Sequence, residues 1–172
     1  NPIEQEGTYP LPEAQIDRFM FKVLVTYPNQ EEELKILKRM GKINSNIELQ
    51  PVVKTDQILS ARNIVDQIYI SENIQEYIVS LVFATREPSN FGLNDLESFI
   101  SFGASPRATI FLSTAAKSLA FLKKRAFVIP EDVRSVGKAI LRHRIILTYE
   151  AEAEEITTED IIQRIYESVL TP

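Results

Sequence analysis

Two arginines stand where they could do chemistry. Arg107 lies in Phe102-Gly103-Ala104-Ser105-Pro106-Arg107-Ala108, and Arg18 follows Asp17 directly ahead of an apolar run. The first stretch reads as a helix start. Ser105 is a good N-cap, because its hydroxyl accepts from unpaired first-turn amides. Pro106 falls at the first helical position, where a missing N–H costs nothing. Gly103 permits a sharp turn just before. Arg107 is the odd residue, since the helix dipole prefers an anion in the first turn. Free amides beside a guanidinium suit an anion such as phosphate. The other reading is a pair between Arg107 and a local carboxylate. Arg18 also has two readings. It is either a sheet-edge guanidinium that neutralises a transferring phosphoryl group in another subunit, or one half of an Asp17–Arg18 surface pair.

Other chemistry is thin. His143 is the only histidine, so any Ser/His/Asp triad would have to be built from it. It sits in Leu141-Arg142-His143-Arg144, where the bland reading is a set of cations complementing a helix C-terminus. No cysteine is present, which removes disulfides and thiolate metal sites, and no other metal site is read. The carboxylate groups at 31–33 and 152–155 fall on exposed segments and read as solvated. The five glycines do not cluster, so the chain contains no Gly-rich phosphate loop.

Composition narrows the class further. Hydrophobic residues make up 44% of the 172 residues, enough for a packed core. A net charge of -5 opposes general nucleic-acid binding, and no apolar run approaches the length of a membrane span. The Asn1-Pro2-Ile3-Glu4 start has neither a methionine nor the pattern of a signal peptide, and suggests a piece of a longer protein.

The elements that must position the arginines are mostly helices. Residues 1–17 read as loop with at most a helical turn at Glu13–Ile16. Residues 19–25 read as a buried strand that needs partners outside this chain. Helices are expected from Glu31 to Met40, after a cap at Thr55 or Asp56, after Ser71, from Ser105 to about Arg125, after Ile129, and after Thr157, making about six by apolar periodicity. In the Ser105 helix, Leu112, Ala115, Ala116, Leu119 and Leu122 are placed inward. Residues 86–104 form a long connection, a kind that often carries function. The acidic run Glu150–Glu155 reads as a linker or frayed turn.

These pieces resemble a known family. The stretch from Asn1 to Phe19 is similar to the segment after the fourth core strand of MoxR-type AAA+ ATPases, and Gly103–Ala108 to their sensor 2 motif. Ala115-Ala116-Lys117, Ala120-Phe121-Leu122, Val128–Val133 and Leu141–Arg144 agree as well, so the likeness covers essentially the whole chain. The resemblance implies a mainly α fold: residues 1–27 would close an α/β nucleotide-binding core with one strand and a loop, and 28–172 would form the helical lid. It implies three site roles. Asn1 would be the sensor 1 asparagine, Arg18 the arginine finger acting on a neighbouring subunit's ATP, and Arg107 the sensor 2 arginine that contacts the γ-phosphate, in cis or in trans. It also implies ATP and Mg²⁺ in the full-length protein, an upstream AAA+ core, and a cytoplasmic homo-oligomeric ring, expected as a hexamer. Chaperone-like work or metal-cofactor insertion, with von Willebrand factor A domain proteins as clients, is implied too. The Walker A lysine and Walker B acids of the family are missing here, so this chain alone is expected neither to bind ATP tightly nor to hydrolyse it. The alternatives are a nucleotide-independent helical interaction module and, opposed by the charge, a helix-turn-helix DNA reader over 128–144.

Overall fold

A computed structural model describes residues 11–41 and 49–172. Eight α-helices and two short strands are present among them. They are α1 (Glu13–Ile16), α2 (Gln30–Met40), α3 (Thr55–Gln67), α4 (Glu72–Ala84), β1 (Ile100–Phe102), α5 (Pro106–Leu122), α6 (Pro130–Leu141), β2 (Ile146–Leu147), α7 (Tyr149–Ala153) and α8 (Thr158–Ser168). The fold is mainly helical, as the periodicity predicts. Of the described residues, 11–22 and 64–172 form one compact unit, and 23–41 with 49–63 form another.

The larger unit is a helical bundle built on local signals. Ser71 caps α4 through the Ile74 amide, and Thr157 and Asp160 form a reciprocal capping box at α8. Such caps satisfy amides that the helix itself leaves open. The apolar stripes then meet. Ile78 and Leu81 of α4, Leu112 of α5, Val133 and Ile140 of α6, and Ile162 and Ile165 of α8 are all at most 1% exposed. Burying one such side chain is worth about 2 kcal/mol, so these stripes dominate the stability of the bundle. Gly137 lets α6 approach α8 closely, because a Cβ there would fall 2.0 Å from the Tyr166 hydroxyl oxygen. Tyr166 is buried, and that burial raises its phenol well above the ordinary value. Its neutral hydroxyl donates to the Arg134 carbonyl.

The smaller unit holds α2 and the first part of α3. Asn29 and Glu32 cap α2 reciprocally at 2.9 Å each, and Gly41 ends it. Leu34, Leu37 and Met40 share one stripe, as expected, but the stripe is exposed. Neither Thr55 nor Asp56 is the α3 cap. The helix begins at Thr55, and the Lys54 amide donates to the Gln57 side chain instead.

Three other expectations are corrected. Residues 19–25 form no strand: no ladder partner is present among the described residues, and Phe19, Val23 and Val25 are 52%, 70% and 91% exposed. Strand assignment needs hydrogen bonds across a ladder, which an apolar run cannot supply alone. Leu122 is 73% exposed, because the inward stripe of α5 passes through Ala120, about 200° away around the helix. The acidic run is helical, as α7, with Thr148 capping it through the Ala151 amide. The connection over 86–104 is structured by two 3₁₀ turns, Pro88–Phe91 and Asn94–Leu96, and by β1, which pairs antiparallel with β2.

Candidate functional site: the Asp17 cluster at the start of α5

The start of α5 is fixed by the end of α4. Thr85 is fully buried, and its hydroxyl donates to the Val82 carbonyl at 2.6 Å while accepting from the Ala104 amide at 2.9 Å. Arg86 Nε donates to the Ala104 carbonyl at 2.6 Å. Gly103 fits only because it lacks a side chain: a Cβ would lie 2.3 Å from the Thr85 carbonyl oxygen. The long connection thus returns to a clamped point one residue before Ser105.

Ser105 caps α5 as the sequence predicts. Its hydroxyl oxygen accepts from the Arg107 amide at 3.3 Å, and Pro106 occupies the first turn. The hydroxyl proton is directed at Asp17, whose two carboxylate oxygens lie 2.8 and 2.9 Å away. Arg107 Nη1 stands 3.6 Å from the same carboxylate, with the Arg107 side chain 54% exposed. The anion at this helix start is therefore Asp17, supplied by the chain itself. That satisfies the dipole preference which Arg107 alone would violate.

Arg144 is the third partner of Asp17. Its Nε donates to Oδ1 at 3.1 Å, and its Nη2 donates to the carbonyls of Asp17 and Phe19 at 2.7 and 2.5 Å. Nη1 reaches the carbonyls of Ile140 and Met20, and the guanidinium lies 5.0 Å from the centre of the Phe111 ring. The Arg144 side chain is fully enclosed. Burial pulls its pKa down, and the Asp17 charge opposes that shift. A buried guanidinium with this many acceptors is a fixed post.

The neighbours of Arg144 do similar work. His143 Nε2 donates to the Phe19 carbonyl at 2.9 Å, and Arg142 Nη1 donates to the Lys22 carbonyl at 3.1 Å. Arg142 also pairs with Glu159 at 2.8 Å. Sequence reading takes this Arg142-His143-Arg144 run for helix-end cations. The structure shows it gripping the backbone of residues 17–22. The available signal was the density of donors: no acid occurs between Asp132 and Glu150 to pair with them locally.

Arg18 follows Asp17 and is exposed, with its guanidinium 5.9 Å from the centre of the Phe19 ring. It makes no ion pair among the described residues, because Asp17 is committed elsewhere. The Asp17–Arg18 surface pair is therefore not formed. The local-carboxylate reading of Arg107 is met, by a residue distant in sequence. Asn1 lies outside the described residues. Arg18 and Arg107 are thus brought to one region by a shared neighbour.

The comparisons with known proteins agree with this architecture. The AAA lid domain family matches residues 95–165, which include both β1 and α5. The ATPase family associated with various cellular activities (AAA) matches residues 1–21, which include Asp17 and Arg18. Chaperone MoxR1 of Mycobacterium tuberculosis is 45% identical over 172 residues, covering all of this chain and 45% of that protein. Protein MoxR of Methylorubrum extorquens is 28% identical over 184 residues, covering all of this chain and 53% of that protein. A crystal structure of a provisionally assigned ATPase from Cytophaga hutchinsonii superposes with a TM-score of 0.95 at 49% identity, over all of this chain and 52% of that one. The chain spans about half the length of the relatives it matches. The family these matches show is the one the motifs point to: the chain is a lid-bearing part of a MoxR-type AAA+ ATPase.

Proposed function

We propose that this chain supplies the arginine finger, the sensor 2 arginine and the lid of a ring-forming MoxR-type ATPase. Arg18 acts on ATP bound in a neighbouring subunit, and Arg107 contacts the γ-phosphate. Residues 1–27 belong to the end of the nucleotide-binding core, and 28–172 to the lid. One observation supports this most. Asp17, the acid next to Arg18 in sequence, is engaged by Ser105, Arg107 and Arg144, which leaves the Arg18 guanidinium exposed on a braced segment among the described residues. A finger needs that combination of rigid backbone and open charge, because it acts by placing a cation on a developing phosphoryl charge.

The nucleotide's phosphates fit these two guanidinium groups, both of which are exposed. When bound, ATP with Mg²⁺ supplies the phosphoryl group to be transferred and the ion that offsets its charge. Among the described residues no three acidic or histidine side chains converge to hold a metal. The ion's ligands and the phosphate cradle are assigned to the rest of the full-length protein, with Asn1 as sensor 1. This chain alone is proposed to be inactive. Hydrolysis in the whole ring, proposed as a cytoplasmic hexamer, drives chaperone-like remodelling of partner proteins, with von Willebrand factor A domain proteins as clients and metal-cofactor insertion as one task. Among the described residues no helix is long and apolar enough to cross a membrane.

The test is Arg18→Ala in the full-length protein. Turnover should fall by about three orders of magnitude while ATP binding stays near wild type, as for other trans-acting arginines. Unchanged turnover sinks the finger assignment and promotes a nucleotide-independent interaction module.

A further inference from the structure

The contacts of Asp17 are unequal in a way that carries a further role. Its hold on Arg144 is enclosed and hydrogen-bonded at 3.1 Å, and its hold on Ser105 is 2.8 Å. Its contact with Arg107 is 3.6 Å, beyond ordinary hydrogen-bond length, and the Arg107 side chain is half exposed. The carboxylate is therefore anchored on one side and loosely engaged on the other. The anchored side fixes the backbone that carries Arg18, through the Arg144 bonds to the Asp17 and Phe19 carbonyls. The loose side faces the residue that phosphate would claim.

We propose that Asp17 is a positioning residue for both arginines: it locks the Arg18 segment to the start of α5 through Arg144 and Ser105, and it parks Arg107 until a nucleotide phosphate takes that guanidinium over. This rests on the reading of Arg18 and Arg107 as phosphate contacts. A phosphate is the stronger partner, since it offers more charge and can accept from two guanidinium nitrogens at once. The exchange leaves Asp17 compensated, because Arg144 and Ser105 remain. Only an exposed, off-distance pair can be traded in this way without stranding a buried charge.

The experiment is a double-mutant cycle in the full-length protein, with ATP turnover as readout and Asp17→Asn and Arg107→Ala as the variants. Asp17→Asn keeps the side chain's size and loses its charge. It should lower kcat by about ten- to a hundredfold, the range for a displaced catalytic group, with KM for ATP changed less than about twofold. Asp17→Glu should recover part of the loss. The double variant should lose less than the product of the two single losses, because the Arg107 part of the Asp17 effect is already gone, yet stay slower than Arg107→Ala, because the Arg18 segment is loosened as well. Unchanged kcat in Asp17→Asn, or losses that multiply in the double variant, overturn the positioning role alone. Wild-type turnover in Arg107→Ala overturns the phosphate-contact reading beneath it, and the proposal with it. If Asp17→Asn does not fold, Ser105→Ala takes its place in the cycle, and the same non-additivity is required.

Discussion

Two carboxylates in the bundle each gather a pair of cations at a helix start, and they do so in opposite ways. Asp132 opens α6. It is fully buried, and its partners are Lys123 at 3.2 Å, Arg125 at 2.5 Å and the Ile129 amide at 3.1 Å, all within nine residues. Asp17 is 23% exposed in its side chain, and its partners Ser105 and Arg144 are 88 and 127 residues away. The Asp132 cluster closes a local corner between α5 and α6 around a carboxylate with no exposed surface. The Asp17 cluster joins distant segments and leaves one cation open. Burial and short loops mark a device for stability; exposure and long range mark a device for exchange.

That contrast predicts unequal costs. Asp132→Ala strips the buried acid from two cations and uncaps α6, and should destabilise the protein by about 3 kcal/mol in urea unfolding. Turnover per folded molecule should not change. Asp17→Ala should cost less, about 2 kcal/mol, because the enclosed Arg144 loses its carboxylate but keeps its carbonyl acceptors. A larger stability loss from Asp17 than from Asp132 would invert the comparison. Acid should separate the two as well. Burial pushes the Asp132 carboxyl up, but bonds from Arg125, the Ile129 amide and Lys123 outweigh it and hold the group below its ordinary value. Its stabilising effect is then complete above about pH 4 and is lost as pH falls through the lower folded-state value. Asp132→Asn should flatten that acid limb.

Gly103→Ala probes the clamp on the exchange side. The added Cβ meets backbone, 2.3 Å from the Thr85 oxygen, so the turn into Ser105 must shift. The expected cost is about 2 kcal/mol, with a fall in turnover that Asp132 variants do not share.

How these regions read from sequence follows from the same contrast. Caps and apolar stripes are local, so Ser71, Ser105 and Thr157 and the buried faces of α4, α6 and α8 were legible. The Arg18 and Arg107 motifs were legible as residue types in a pattern. Their shared partner was not, because nothing in the sequence places Asp17 beside residues 88 to 127 positions later. The β1–β2 pair was missed for the same reason, since Ile100 meets Leu147 across the whole of α5 and α6. Helix α7 was hidden by its acids, which read as solvated chain although Thr148 caps them and Ala151 is buried.

The smallest effect concerns His143, which grips the same segment as Arg144. Burial lowers its pKa, the Phe19 carbonyl opposes this, Arg144 and Lys22 lower it further, and Asp17 raises it. Protons therefore bind the unfolded chain first, and stability should decline as pH falls below about 6.5 until the lower folded-state value is passed. His143→Gln should remove that slope in thermal melts while leaving the Asp132 acid limb in place.

The claim that separates the two clusters most sharply is that Arg107 serves a phosphate and Asp17 only holds it in waiting. ATP turnover and ring assembly of the full-length Arg107→Ala variant, measured beside its melting temperature, test this directly. The account predicts a melting temperature near wild type, because an exposed pair at 3.6 Å contributes little, together with a clear loss of turnover or of nucleotide-dependent assembly. A variant that melts lower yet hydrolyses ATP and assembles as wild type would contradict it.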